Sequence, residues 1–437
     1  MRSPGRTAAL LGILFGLAAT GTSAATVTLP QLAGELGISA STAAWTISAY
    51  AVVLAVATPL HGRLADAYGL RAPLVSGVLA MVVGAIASAL APTFALLIVA
   101  RVLQGFGGAS IPVLATALVS AMWEGPQRGA ALGRLAGVSA TFSALGPLMG
   151  GALEDLGGWR LALALPALGL LIVPYLVRVA PSGGSRQHID RTGAVLVAVA
   201  ASGLVLLLQS PSSGPVTAIV GAVLLAAGAP AVVAWVRRRP TGFLPRTVVT
   251  NPVVLRSSFA TAAIPASWFA LLVGVPIVAA GWGWTPLATG LLMLPAAAVG
   301  LVTPLFSRRA LARLGAQRAM AVACPIAVLA LLVAAAGDLA DAPALLALGV
   351  ALVTVAFGFG QPAMMSAVDE AVAAADRGVA IGVATLVFLV GASVGAALVG
   401  GLAEVAGLFT VFFVLMALPV AGLAVLLLAG RRQPAAA

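Results

Sequence analysis

Only 8% of the 437 residues are charged, so a charged side chain set among apolar neighbours is a candidate for chemistry. Arg101 is the sharpest case, placed inside the apolar run that contains RVLQGFGGA (101–109) with Gln104 and Gly105 beside it. An ionised arginine within a membrane span costs at least about 2.5–3.5 kcal/mol on insertion scales, which drives it toward a bundle interior or water. At helical spacing Arg101, Gly105, Gly108 and Pro112 share one face, and the glycines would admit a neighbouring helix or a bound molecule. The competing reading is that Arg101 lies close enough to the end of its run to snorkel to the interface.

A second group stands in GRLADAYGLR (62–71). Gly62 and Gly69 let the backbone turn tightly between two apolar runs. Asp66 can accept hydrogen bonds from a helix N-terminus, where negative charge is favoured, and Arg71 can hold that carboxylate. The group reads either as a charge clasp between two packed bodies or as an ordinary short loop. A third group is GPLMGG (146–151) with EDLGGWR (154–160) directly after it. Gly146 and Gly150 make a small-x-x-x-small face in the run that ends at Gly151, Gly133 and Gly137 extend a similar face earlier, and Pro147 bends the helix; ordinary small-residue packing would use the same residues. Of the twelve acids none falls near the middle of an apolar run. Glu154 and Asp155, with Glu404 next, are the acids best placed to carry a proton, unless they are solvated loop carboxylates.

Enzymatic chemistry finds no foothold. There is no H-x-x-x-H or H-E-x-x-H pair and no P-loop, and Cys324 is the one cysteine, which excludes a disulfide framework or a Cys-based metal site. No cofactor or metal is expected. All 23 basic residues are arginine, so a Walker-type lysine is missing and nothing in this chain would use ATP.

The elements that must position these groups are membrane helices. A 61% hydrophobic composition does not suit a water-soluble fold of this length, and one crossing needs roughly 20 apolar residues. Fourteen spans follow, at about 8–30, 42–61, 72–91, 94–117, 130–152, 160–178, 192–210, 215–236, 255–280, 286–306, 319–337, 343–367, 378–401 and 406–430. With these, 21 arginines fall on one side, Arg160 falls on the other, and Arg101 lies within a span. The alternate loops carry Glu35, Glu154, Asp155, Asp338, Asp341 and Glu404. Arginine-rich loops stay cytoplasmic, so both termini face the cytoplasm of what reads as a bacterial cell membrane. The net charge of +11 then reflects rims that attract anionic lipid heads and calls for no nucleic acid. Arg2, Arg6, the run 8–20 and Ser23-Ala24-Ala25 imitate a secretory signal, but the apolar stretch continues to Pro30, and losing it would leave an odd number of spans. Trp45, Trp159, Trp282 and Trp284 at outer ends, and Trp123 and Trp235 at inner ends, read as an aromatic belt. Trp268 lies mid-span, where it is either packed against lipid or helices or a wall of a cavity.

Longer charged connections at 179–191 and 237–254 divide the chain into six, two and six helices: 1–178, 179–254 and 255–437. The motifs at 62–71, 101–109 and 146–151, in that order on matching helices, together with AAWTISAY and this layout, resemble the major facilitator superfamily. Within it they resemble the fourteen-helix drug:proton antiporters (EmrB/QacA-like). The three motifs correspond to that family's loop signature, fourth-helix arginine motif and antiporter motif. The resemblance implies an all-α fold of two six-helix bundles around a central pair. It also implies a monomeric secondary-active exporter of small amphiphilic compounds, with protons and the lipid bilayer as its other partners. Glycines 62 and 69 with Asp66 and Arg71 would then stabilise one access state. The family pattern puts a glycine at the position of Phe142 and an acid at that of Gly21, so both sites depart from it. A proton-uncoupled metabolite facilitator and a transport-inactive scaffold are the other readings. Thr22, Ser23, Thr26, Tyr50, Ser139, Thr141, Ser143 and Trp268 are candidates for the cavity lining.

The topology is directly testable. With Cys324 replaced, a cysteine at position 244 or 312 should resist an impermeant thiol reagent in intact cells. Labelling at either position would break the map.

Overall fold

The computed structural model describes residues 4–183, 190–372 and 377–430. Among them run α1 (Pro4–Val27), α2 (Leu29–Leu36), α3 (Ala40–Ala43), α4 (Trp45–Tyr68), α5 (Arg71–Ala89), α6 (Phe94–Gly108) and α7 (Ser110–Met122). Next come α8 (Gly125–Ala164), a 3-10 segment (Leu165–Ile172), α9 (Val173–Val179), α10 (Arg191–Ser213), α11 (Pro215–Arg238) and α12 (Arg246–Val249). The remainder is α13 (Pro252–Gly281), α14 (Pro286–Leu292), α15 (Leu294–Leu314), α16 (Ala316–Leu339), α17 (Pro343–Glu370), α18 (Arg377–Ala406), α19 (Leu408–Leu415) and α20 (Ala417–Gly430). The fold is all helical because hydrocarbon offers backbone amides and carbonyls no partners, and a helix satisfies them within itself.

Thirteen stretches among the described residues are long and apolar enough to cross a membrane. One, Leu145–Val179, is 35 residues long, well beyond a single crossing. Its helix is interrupted at Gly157 (φ −155°, ψ 22°) and Gly158 (φ 73°, ψ 177°). The expected spans 130–152 and 160–178 lie on either side of that break. Only a residue without Cβ takes up the Gly158 conformation readily, so GG in EDLGGWR is the turn between them.

Helices approach one another through glycine. On the α10–α11 pair, a Cβ at Gly203 would stand 2.5 Å from Leu225 N and one at Gly221 2.6 Å from Leu207 N. α11 buries little besides Gly221 and Gly228 and leaves Val216, Ile219 and Val223 exposed, as a lipid-facing helix should. One apolar cluster joins α1, α5, α7 and α9 through Leu11, Leu74, Leu114 and Leu176. Another joins α13, α16, α17 and α18 through Val254, Cys324, Met364 and Phe388. Two more connect these groups. Ile47 and Trp159 meet Val273 and Leu331 at the arginine-poor end, and Val56 of α4 meets Val197 of α10 and Leu386 of α18.

α13 and α18 cross tightly, and a Cβ at Gly395 would lie 1.9 Å from the Ala266 carbonyl oxygen. Overpacking of this kind typically costs about 1–3 kcal/mol. Gly395→Val should lower the melting temperature in detergent measurably, whereas Gly281→Ala, with nothing within 4 Å, should not.

Candidate functional site

Arg101 is fully buried, which decides against snorkelling. Thr93 caps the start of α6 by accepting from Leu96 N, and two turns on, Arg101 points into the space between α6 and α4. Its Nε donates to the Thr46 carbonyl at 3.0 Å and its Nη1 to Gln104 Oε1 at 2.8 Å. The guanidinium lies 4.5 Å from the centre of the Tyr50 ring. Tyr50 Oη in turn donates to the Ala18 carbonyl of α1 at 3.0 Å. The glycine face foreseen on α6 is occupied by this tyrosine: a Cβ at Gly105 would meet Tyr50 O at 2.7 Å, and one at Gly108 would meet Tyr50 Oη at 2.7 Å. Arg101 Nη2 and Gln104 Nε2 are buried without a hydrogen-bond partner. Gly21, in the place of the family's acid, faces this cluster, with Gln104 Nε2 3.2 Å and Tyr50 Oη 3.5 Å from where its Cβ would be. The site therefore keeps the arginine and lacks the acid.

The GPLMGG run (146–151) packs in two directions. A Cβ at Gly146 would stand 1.9 Å from Ser23 Oγ, and one at Gly150 2.4 Å from Ala24 O, both on α1. Gly151 instead meets α14: its Cβ would be 2.4 Å from Pro286 O, and a Cβ at Gly290 would be 2.7 Å from Pro147 O. Phe142, where the family has glycine, is accommodated by Gly16, whose Cβ would fall 2.1 Å from that of Phe142. The small residue has moved to the partner helix. Gly137 has open space around it, so the α1–α8 seam does not extend to that residue.

In the loop signature, Gly69 (φ 80°) ends α4 with its amide on Ala65 O, and a Cβ there would collide with Gly183 O at 2.6 Å. Arg71 donates from Nε to Ala180 O at 2.7 Å and from its backbone to Pro181 O at 3.1 Å, so it fastens the connection that follows α9. Gly62 has room, with Val113 Cγ1 3.8 Å away. The Asp66 side chain lies outside the described residues, as do His188 and Arg186.

Glu154 and Asp155 part company. Asp155 is exposed, whereas Glu154 is 3% exposed and neither carboxyl oxygen has a partner. Glu154 lines a cavity of about 230 Å³ with Gln31, Pro276, Trp284, Pro286 and Thr289. Glu404 is exposed and accepts from Ser41 N at 3.2 Å. Among the cavity candidates, Thr26 donates to Ser23 O, Ser23 to Ala19 O and Thr141 to Gly137 O, so these hydroxyls turn back onto their own helices. Thr22 and Ser139 are buried and Ser143 is half-buried. Trp268 is half-buried against Phe269 and Phe357 and donates to Thr354 Oγ1 at 3.3 Å. It sits on α13, away from the Tyr50 cluster on α4.

Trp159 corrects the belt reading, because it is fully buried. Its Nε1 donates to Glu35 and its backbone amide to Gln31 Oε1 at 2.8 Å, a role that the spacing alone did not reveal. Arg160 pairs with Glu35 and stacks over Trp159 at 4.3 Å. The Arg160 hydrogen bond, with help from Trp159, holds the Glu35 carboxyl below the usual carboxylate range.

Arg101 yields a sharp expectation. Lysine is a point charge without the planar fork and cannot serve Thr46 O and Gln104 Oε1 while lying flat on Tyr50. Arg101→Lys should insert normally yet lose transport about tenfold or more, equivalent to roughly 1.4 kcal/mol. Undiminished transport in Arg101→Ala would reduce the residue to packing.

The model of the Major Facilitator Superfamily matches residues 11–396. A protein named multidrug resistance protein Stp from Mycobacterium tuberculosis is 32% identical over 303 residues, covering 67% of this chain and 56% of that protein. An uncharacterised MFS-type transporter of the same organism is 28% identical over 414 residues, covering 91% of this chain and 58% of that protein. The chain thus spans less than two thirds of the length of these relatives. Among solved structures, a peptide transporter of the POT type, crystallised with sulfate, superposes with a TM-score of 0.71 at 19% identity over 98% of this chain and 95% of its own. The human organic anion transporter MFSD10 gives 0.64 at 16% over 97% and 100%. The chain belongs to the Major Facilitator Superfamily, whose members are membrane transporters rather than enzymes.

Proposed function

We propose that this protein is a secondary-active exporter of small amphiphilic compounds, working by alternating access and proton antiport, in the manner of the fourteen-helix drug:proton antiporters. The halves 1–178 and 255–437 rock against each other around the membrane midplane, the central pair within 179–254 stays at their side, and both termini face the cytoplasm of the cell membrane. One chain suffices, so the working unit is a monomer. The observation that carries the reading is the backbone contact of Gly151 with Pro286, which ties the antiporter motif of one half to a helix of the other. The name of the mycobacterial relative points the same way for the substrate class. A proton-uncoupled facilitator is favoured by one specific observation, Gly21 beside Gln104 and Tyr50, where the coupling acid would stand. A scaffold without transport would have no reason to keep the glycines, Asp66, Arg71, Pro147 and Arg101 together.

The cargo charge follows from the interior. A buried cation is stabilised by an acid, and it is disfavoured where the resident charge is positive. Arg101, with unpartnered donors on Nη2 and on Gln104, suits a neutral or anionic amphiphile better than a permanent cation.

Cells expressing the protein should accumulate less of a neutral or anionic dye, and an uncoupler should abolish the difference. Little resistance to quaternary ammonium dyes is expected. Export that survives collapse of the proton gradient would favour the facilitator. Asp66→Asn should leave the protein inserted but cut export several-fold by shifting the balance of access states, read as dye efflux at matched expression.

A further inference from the structure

Glu154 is the anomaly of the fold. It lies one helical turn past Gly151 and so points to the same side of α8, toward α14. It is buried at the seam between the two halves with both oxygens unpartnered. Two polar atoms of the side chains that share its cavity are engaged elsewhere: Gln31 Oε1 accepts from Trp159 N, and Thr289 Oγ1 donates to Thr285 O. The rest of the lining is Val27, Pro30, Pro276, Ala280, Trp284 and Pro286. An ionised carboxylate without a partner in such surroundings costs several kcal/mol, while the neutral acid costs far less.

The charged neighbours do not supply a counter-ion. On its own helix the next residue is Asp155, exposed and of like sign. On α2 stands Glu35, already paired with Arg160. The charged residues of α1, α5, α13 and α15 (Arg6, Arg71, Arg256, and Arg308, Arg309 and Arg313) lie toward the opposite ends of those helices, and α14 carries none. Asp338 and Glu404 line a separate cavity at this end.

We propose that Glu154 is a proton-binding site whose occupancy is coupled to closure of the arginine-poor end. When the seam is open the carboxylate meets bulk water and is ionised. Closing removes it from water, so it takes one proton from that water and is held as the neutral acid between α8, α13 and α14. Opening returns the proton to the same side. Closure and proton uptake are therefore linked one to one, and the open fraction rises with external pH by up to about tenfold per unit while the group titrates. This rests on the exporter reading only in needing two access states.

The test is accessibility, in the full chain with Cys324 replaced by alanine. A cysteine is placed at Thr289 or, separately, at Ala280, and a membrane-impermeant maleimide is applied to intact cells across external pH 5 to 8, with its own pH-dependent reactivity corrected against an exposed cysteine at Leu156. Labelling of the cavity cysteine should rise severalfold with pH. In Glu154→Gln, which mimics the neutral acid, it should stay low and flat, while Glu154→Asp should restore the pH dependence and Asp155→Asn should leave it intact. A pH dependence unchanged in Glu154→Gln would overturn the proposal, even with export abolished by an uncoupler. Glu154-dependent labelling in a protein whose export ignores the uncoupler would uphold it and remove the antiport reading instead.

Discussion

A buried guanidinium without a carboxylate partner is the constraint around which the first half of this molecule is arranged. Coulomb attraction to an acid would be the simplest compensation in a low dielectric, but Gly21 faces the cluster with no side chain. What Arg101 has instead is the Thr46 carbonyl, the Gln104 amide oxygen and the face of Tyr50. Each is a weaker partner than a carboxylate, although a desolvated cation–π contact reaches about 2 kcal/mol or more. Together they require α4 and α6 to approach almost to backbone contact, which Gly105 and Gly108 allow. On the far side of α6, a Cβ at Gly84 of α5 would stand 2.4 Å from Gln104 N, so α5 holds Gln104 in place from behind. Tyr50 is fixed in turn by Ala18 of α1. Four helices are thus committed to solvating one side chain.

The two ends of the bundle use different chemistry. At the arginine-rich end, connections are fastened to helices by hydrogen bonds. Arg71 holds Ala180, Arg63 donates to Gly242 O, and Asp190 accepts from Gly193 N, Phe243 N and Trp235 Nε1. Burial works against ionised Asp190, but those donors and Arg239 outweigh it and hold its carboxyl below the usual range. This knot joins the start of α10 to the end of α11 and to the connection before α13, so the central pair has a fixed mooring without deep burial of α11. At the other end, the acids sit at or near the seam itself. Glu404 reaches across it to Ser41 N, and Glu154 has no partner.

Much of this was legible in the residues. Apolar run length gave spans that the helices follow. The expected gap between 152 and 160 holds the Gly157–Gly158 break, although its glycines were not singled out as a turn. Arg101 was recognisable because an intramembrane charge is costly wherever it occurs. Other features were hidden for a physical reason. Glu154 and Asp155 are adjacent in sequence, but neighbours on a helix differ by about 100° in direction, so one is sealed in the seam and the other faces out. Trp159 looked like an interfacial ring, but it joins an apolar cluster with Leu29 and Leu32 of α2 and Ile47 of α4 and bonds Gln31 and Glu35. Phe142 looked like a defect in the antiporter motif until Gly16 appeared opposite. The complementarity belongs to a pair of helices, and one strand of text carries only half of it.

On the proposed alternating access, the seam at Gly151 and Pro286 is where this tightly packed interior would part. Interdigitated side chains resist sliding because every rotamer must be re-sorted, and dense cores transmit that strain. Backbone laid on backbone, as Gly151 on Pro286 and Gly290 on Pro147, has no rotamers to re-sort. In lipid such a contact is held by dispersion and shape rather than by expulsion of water, so parting it exposes little that the surroundings cannot replace. Within α8 the same run presents Gly146 and Gly150 to α1 and Gly151 to α14, which in the proposed mechanism lies across the halves. On that reading one short run of small residues serves a permanent joint and a separable one, and a side chain at Gly151 would bear on the separable joint alone.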